Sequence, residues 1–106
     1  MDLEEYKQLA MRTSGGDKEA QKLYGPMGLA GEAGEVIDYL KKVYFHGHDL
    51  DLSKLSKELG DVLWYIACIA DAFDLSLDDI AKENIQKLKE RYPNGFEKEK
   101  SINRSV

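Results

Sequence analysis

Two pairs of acidic residues repeat one pattern along this sequence. Glu32 and Glu35 lie in the segment EAGEVIDYL, and Glu58 and Asp61 lie in ELGDVLWYI, which follows 26 residues later and matches it in chemical type at nearly every position. Acids three residues apart project from the same side of a helix. Two helices of similar design would therefore present four carboxylates to a common site.

Carboxylates gathered in this way favour a hard divalent cation. Half-buried acids would repel one another and raise one another's pKa unless a cation lay among them. Oxygen ligands, with no thiolate and few imidazoles nearby, favour Mg²⁺ or Mn²⁺ over zinc. A single E-x-x-E pair is common on solvated helices, but its duplication and the glycines inside both pairs, Gly34 and Gly60, argue against that alternative. Each mid-helix glycine costs about 1 kcal/mol relative to alanine, so we expect a neighbouring helix or a ligand beside it.

Polar side chains further along the sequence could face such a metal. Asn84, Lys87 and Arg91 are spaced by three and four residues, which places them on one side of a helix beside its apolar face. Arginine binds phosphate as a planar fork, and lysine binds it as a point charge. The alternative is that both cations pair with helix carboxylates. With the acid pairs in the same chain, we interpret the whole set as a polyphosphate site.

Aromatic residues accompany both acid pairs. Tyr65 lies one turn after Asp61 and is the candidate for contact with a nucleobase or sugar, whereas its counterpart Tyr39 is a weaker one. The Trp64 side chain points away from the centre of the apolar face, so a monomer would expose it. We therefore expect Trp64 to lie in an oligomer interface or to form a wall against a base. The H-G-H segment at residues 46–48 offers two metal ligands without an obvious third, which argues against a zinc site.

The elements that must position these residues are all predicted to be helices. Turn signals, Gly25-Pro26 among them, separate segments with helical spacing, and no stretch alternates convincingly as a strand. Ser76 and Asp79 resemble a capping box at the start of the last long helix. The predicted helices cover about residues 3–12, 27–45, 53–73 and 76–92, with room for a short helix over 17–24 and a loose polar tail after Gly95. The predicted fold class is all-α, of the four-helix-bundle type.

Composition narrows the class of protein. The chain has 106 residues and a mass of 12.0 kDa, which predicts one domain over residues 1–106. A net charge of −5 argues against nucleic-acid binding. The longest apolar run is too short for a membrane span and the N-terminal residues lack a signal pattern, so we expect no membrane contact and a cytoplasmic location. In that location Cys68 is expected to be reduced and buried. A groove in so small a domain is expected to be completed by a second copy of the chain.

The motifs together resemble those of the MazG-like nucleoside triphosphate pyrophosphohydrolases. The resemblance spans residues 28–96, leaves 97–106 as a polar tail, and rests on GEAGEV from Gly31, KELGDVLWY from Lys57 and NIQKLKERYPNGF from Asn84. The signature of that family is E-x-x-E followed, after a variable gap, by E-x-x-D, and the gap here is 22 residues. The combination is specific because it requires both acid pairs and the downstream Asn, Lys and Arg in order.

This resemblance implies a helical fold that dimerises, sometimes into dimers of dimers. It also implies an enzyme that hydrolyses a nucleoside triphosphate between its α- and β-phosphates, releases the monophosphate and pyrophosphate, and serves nucleotide-pool housekeeping. The implied Mg²⁺ ligands are Glu32, Glu35, Glu58 and Asp61. The implied phosphate ligands are Lys87 and Arg91, with Asn84 contacting phosphate or the metal shell. Either Glu32 or Glu35 is expected to act as the general base toward the attacking water.

Two alternatives stay open at this point. Phosphoribosyl-ATP pyrophosphatase, a related helical enzyme, would apply the same chemistry to a different substrate. A helical dimerisation or nucleotide-sensing module would bind a metal through the same acids without attacking water.

Overall fold

Helices account for nearly all regular structure in this protein, for which a computed structural model describes residues 1–104. The five helices are α1 (Leu3–Ala10), α2 (Lys18–Phe45), α3 (Leu52–Ala72), α4 (Leu77–Arg91) and α5 (Lys98–Ile102). A 3₁₀ turn at Met11–Thr13 follows α1 directly. No strand forms within residues 1–104, so the predicted all-α class is confirmed.

Short polar side chains begin the long helices. The carboxylates of Asp17 and Asp51 accept backbone N–H groups in the first turns of α2 and α3. Ser76 caps α4 by accepting the N–H of Asp79 at 3.1 Å, as its capping pattern predicts. Each cap satisfies a donor that has no partner within its own helix.

The predicted helix break at Gly25-Pro26 is wrong, because α2 runs without interruption through both residues. Pro26 withdraws one N–H from the helical ladder, which is a local cost. Gly25 is buried against α3, where an added Cβ would lie 2.9 Å from Cγ1 of Ile69. Close packing along α3 therefore outweighs the local breaking signal, as tertiary contacts commonly do.

Helices α2 and α3 form an antiparallel hairpin that carries most of the packing. Gly28 near the middle of α2 contacts Tyr65 late in α3, whereas Tyr39 late in α2 accepts the N–H of Asp51, at the start of α3, at 2.7 Å. Tyr39 is thus a buried structural residue. The fully buried residues of the hairpin lie in the last third of α3 and include Cys68, as expected from the sequence.

The start of α4 is anchored on α1. The Asp78 carboxylate accepts the backbone N–H groups of Leu3 at 3.2 Å and Glu4 at 3.4 Å. In return the buried Lys7 donates to the carbonyl of Leu75 at 2.9 Å and pairs with Glu4 at 3.2 Å. α1 is thus held against the turn between α3 and α4 and the first turn of α4 by side chains from both partners, Asp78 of α4 and Lys7 of α1.

The chain is far more open than a compact monomer of its mass. Its accessible surface is 7632 Å², against roughly 6,000 Å² expected for 12 kDa. Its radius of gyration is 16.8 Å, against about 13 Å expected. Beyond the buried Leu77, the predicted apolar face of α4 lacks cover, since Ile85 is 52% exposed and Leu88 is 38% exposed. Leu59 on α3 and Phe73, directly after the end of α3, are exposed as well.

None of the helices within residues 1–104 combines the length and the apolar character that crossing a bilayer requires.

Candidate metal and nucleotide site

Three of the four predicted acids come together where α2 faces α3. Glu32 on α2 and Glu58 and Asp61 on α3 each offer a carboxylate oxygen, and these oxygens all lie within 4.8 Å of one another. The antiparallel pairing of the hairpin places the middle of α2 opposite the middle of α3, which is why acids 26 residues apart in sequence meet. Glu35, one turn further along α2, is exposed and is not among the three.

The electrostatics of the cluster favour a bound cation. Partial burial, followed by the charges of Asp61, Glu58 and Glu35, raises the pKa of Glu32 above its ordinary value. A carboxylate held this way gains most from a cation that offsets the neighbouring negative charges. The nearby Lys42 is engaged elsewhere on α2, since its ammonium pairs with Asp38 at 2.8 Å. Asp38 therefore belongs to a surface ion pair and lies outside the cluster.

A cleft of about 320 Å³ opens beside the acids. Glu32, Asp61, Trp64 and Tyr65 line it. The two aromatic rings meet edge to face, with centroids 5.0 Å apart and planes at 81°. The cleft thus joins a site for a cation to flat apolar walls, which is the combination that a nucleotide needs.

A glycine that the sequence reasoning missed fixes one of these rings. A Cβ added at Gly28 would lie 2.0 Å from Cε1 of Tyr65, so only glycine allows the ring to occupy its present place. The glycines inside the acid pairs behave differently: among residues 1–104 nothing comes within 4 Å of a Cβ added at Gly34 or Gly60. Of the two expectations, a neighbouring helix or a ligand, the helix is not found among residues 1–104. Sequence spacing alone could not separate the two kinds of glycine, because the distinction lies in the helix that faces each of them.

Trp64 is less exposed in the single chain than its position on α3 predicted. Its indole N–H donates to the Ala10 carbonyl at 3.1 Å and to the Thr13 hydroxyl at 2.9 Å. The end of α1 and the 3₁₀ turn thus cover part of the ring, which is half-buried. No sequence signal pointed to this contact, since it joins segments about fifty residues apart.

The predicted phosphate-binding residues lie apart from the acids. Asn84 and Lys87 are exposed on α4, and the half-buried Arg91 has its guanidinium carbon 5.9 Å from the ring centre of Tyr92. None of the three lines the cleft, because α4 docks on α1 through its first turn. Within residues 1–104, the cationic stripe therefore takes no part in lining the cleft.

The histidines offer no second metal site. His46 and His48 are exposed, and within residues 1–104 neither belongs to a cluster with the spacing of metal ligands.

An acidic cluster that could hold a divalent cation lies beside an aromatic cleft on a helical hairpin. Comparison with known proteins identifies the family. The family model described as the MazG nucleotide pyrophosphohydrolase domain matches residues 25–96. The chain belongs to this family, whose members depend on a divalent metal and act on nucleotides. The match confirms the resemblance drawn from the acid pairs and the cationic stripe.

A relative is found in a bacteriophage. The chain is 37% identical over 76 residues to the gene 37 protein of Mycobacterium phage L5, and the alignment covers 68% of this chain and 67% of that protein. No solved structure matches the chain.

Proposed function

We propose that this protein is a Mg²⁺-dependent nucleoside triphosphate pyrophosphohydrolase, which converts a ribo- or deoxyribonucleoside triphosphate into the monophosphate and pyrophosphate. The observation that supports it best is the meeting of Glu32, Glu58 and Asp61 beside an aromatic cleft in a chain of the MazG family. The acids and the cleft support this activity only in combination, because neither of them alone would favour it over the simple binding of an ion.

The acids suit Mg²⁺ chemically. Mg²⁺ binds hard oxygen ligands at about 2.1 Å, so opposite ligands of one ion lie about 4.2 Å apart. The three oxygens, all within 4.8 Å of one another, need only small side-chain adjustments to share an ion. When bound, such an ion polarises phosphoryl oxygens and lowers the pKa of a water molecule.

The side chains of the site have different roles in this proposal. Glu32, Glu58 and Asp61 bind the metal, whereas Glu35 is outside this group and exposed one turn away. We therefore assign Glu35 as the general base that orients and deprotonates the attacking water. The ring of Tyr65, with Trp64 beside it, forms the wall against which the base stacks.

A second copy of the chain completes the site in this proposal. The phosphates need cations, and Asn84, Lys87 and Arg91 lie away from the cleft of their own chain. The excess accessible surface supports a homodimer or homotetramer. So does a row of exposed apolar side chains along α2, whose spacings of four, ten and seven residues place them on the same side of the helix. The row comprises Leu23, Met27, Ile37 and Tyr44.

The test is the identification of products. Purified protein is incubated with Mg²⁺, Mn²⁺ or EDTA and with each common ribo- and deoxyribonucleoside triphosphate, and with phosphoribosyl-ATP in a separate arm. Monophosphate and pyrophosphate in equal amounts, formed only with metal, are the expected result. Release of inorganic phosphate with a diphosphate would contradict the proposed bond of cleavage. Binding of nucleotide and metal without any product would instead identify a sensing module.

A further inference from the structure

The orientation of the Trp64 ring depends on the 3₁₀ turn after α1. The indole N–H is shared between the carbonyl of Ala10 at 3.1 Å and Oγ1 of Thr13 at 2.9 Å. The Thr13 hydroxyl itself donates to the Ala10 carbonyl at 2.8 Å. Because a hydroxyl has a single proton, this donation leaves only lone pairs of Oγ1 to face the indole. Thr13 is therefore held as an acceptor for Trp64.

These contacts reach the cleft through the aromatic rings. Trp64 lines the cleft and meets Tyr65 edge to face, and Tyr65 rests on Gly28. One ring is thus fixed by a glycine on α2, and the other is fixed by a hydroxyl on the N-terminal turn. Without Thr13, the indole N–H would keep one acceptor of two, and the ring would have more freedom to turn.

We propose that Thr13 is a positioning residue for nucleotide binding, which holds the Trp64 ring in the orientation that forms a wall of the cleft. The identity of the ligand as a nucleotide rests on the proposed function. A wall that is already ordered does not have to be immobilised when a base stacks on it, so less binding free energy is lost. Thr13 itself then affects affinity without touching the ligand.

The variants separate the hydroxyl from the shape of the side chain. Thr13→Val removes the acceptor but keeps the β-branched shape, and Thr13→Ser keeps the hydroxyl. Ser14→Ala is the matched control, because the Ser14 hydroxyl bonds to Oε1 of Gln21 at 2.9 Å and thus faces α2. Asp78 holds the start of α1 and Lys7 holds its last turn in every variant, so the helical circular dichroism should not change.

Trp64 is the only tryptophan of the chain, so its fluorescence reports on this contact directly. In Thr13→Val we expect easier quenching by acrylamide and a weaker Kd for α,β-imido nucleoside triphosphates with Mg²⁺, titrated one at a time through Trp64 emission. The expected rise in Kd and in KM is about threefold to tenfold, with kcat changed by less than about twofold. Thr13→Ser and Ser14→Ala should match the wild type.

Different results would overturn different proposals. Thr13→Val with wild-type quenching, Kd and KM would refute the positioning role while leaving the enzyme activity standing. Ser14→Ala with the same rise in Kd would refute it as well, since the cause would then be general loosening of the turn. A wild-type protein that binds the analogues but releases no pyrophosphate would refute the proposed function alone. Trp64 emission that does not respond to any nucleotide would overturn the positioning role, because the indole would lie outside the binding site.

Discussion

Replacing Glu58 alone tests whether the acid cluster binds the metal. It lies beside Glu32 and Asp61, and together they contribute three of the charges that a Mg²⁺ ion would offset. Changing a group that merely supports a metal ligand commonly costs about 10- to 100-fold in metal affinity or activity, so losing a ligand should cost at least as much.

For Glu58→Gln we therefore expect pyrophosphate release to fall by at least about 100-fold, with a weaker calorimetric Kd for Mg²⁺ and an unchanged helical circular dichroism spectrum. Glu19→Gln is the control, because Glu19 pairs with Lys22 at 2.8 Å on the surface near the start of α2. Turnover retained in Glu58→Gln would show that the metal lies elsewhere.

The buried thiol of Cys68 should make the free energy of unfolding depend on pH. Burial is the main factor that raises the pKa of its thiol; the hydrogen bond with Tyr24 opposes the rise and the charge of Asp71 adds to it. The unfolded thiol ionises near pH 8.5, whereas the raised pKa of the folded thiol moves its ionisation to higher pH. Above this pH the unfolded chain binds fewer protons than the folded chain, so the free energy of unfolding falls as pH rises.

Urea unfolding between pH 7.5 and 9.5 should show this decline, and it should be smaller in Cys68→Ala. The native thiol should also react far more slowly with a disulfide reagent than the unfolded thiol does. Rapid labelling of the native protein at pH 8 would contradict the burial of Cys68.

Two glycines of α2, Gly28 and Gly31, have opposite roles within one helix. Gly28 leaves room for the Tyr65 ring, whereas within residues 1–104 nothing lies within 4 Å of a Cβ added at Gly31. Alanine favours a helix by about 1 kcal/mol over glycine. This gain is available at Gly31 but is outweighed at Gly28, where the ring would have to move.

We expect Gly28→Ala to lower the Tm by about 5–20 °C, as overpacking by 1–3 kcal/mol would in a domain of this size. It should also lower kcat/KM, because Tyr65 leaves its place in the cleft. Gly31→Ala should raise the Tm or leave it unchanged. Equal melting curves for the two variants in a calorimeter would show that α2 and α3 do not approach at Gly28.

The exposed apolar row on α2 predicts self-association. Ile37 is 69% exposed in the single chain, so a lysine there would cost the monomer little and would disrupt an interface. Ile37→Lys is expected to halve the mass measured by light scattering for a dimer and to abolish activity. Leu50→Lys, in the loop between α2 and α3, is the control for an added charge at an exposed apolar position. A wild-type protein that is active as a monomer would contradict this prediction.

Mixing two inactive variants tests whether the partner supplies the cations. Glu58→Gln removes an acid, and Lys87→Ala removes a phosphate ligand on α4. Random exchange makes half of the dimers mixed, each with one intact site, so about a quarter of wild-type activity should return. If acids and cations of one site came from the same chain, the mixture would stay inactive. Pyrophosphate release before and after exchange of subunits measures the difference.

Much of the fold follows from local chemistry and could be predicted from the sequence. Helical spacing and capping residues predicted the helical class and the starts of α3 and α4, because both signals act within a few residues. The break at Gly25-Pro26 was predicted wrongly, since the contact of Gly25 with Ile69 lies far away in sequence. The cover that Thr13 gives to Trp64 could not be predicted for the same reason.

Acids spaced by three residues share one side of a helix wherever that helix lies, so their spacing was enough to predict which residues could bind a metal. The packing of α2 on α3, which spacing along one helix does not predict, brings together Glu32, Glu58 and Asp61 and leaves Glu35 outside the group. The docking of α4 on α1 likewise leaves Asn84, Lys87 and Arg91 outside the lining of the cleft. The physical reason is that helical periodicity fixes directions around one axis, whereas distances between helices depend on how α2 packs on α3 and where α4 docks.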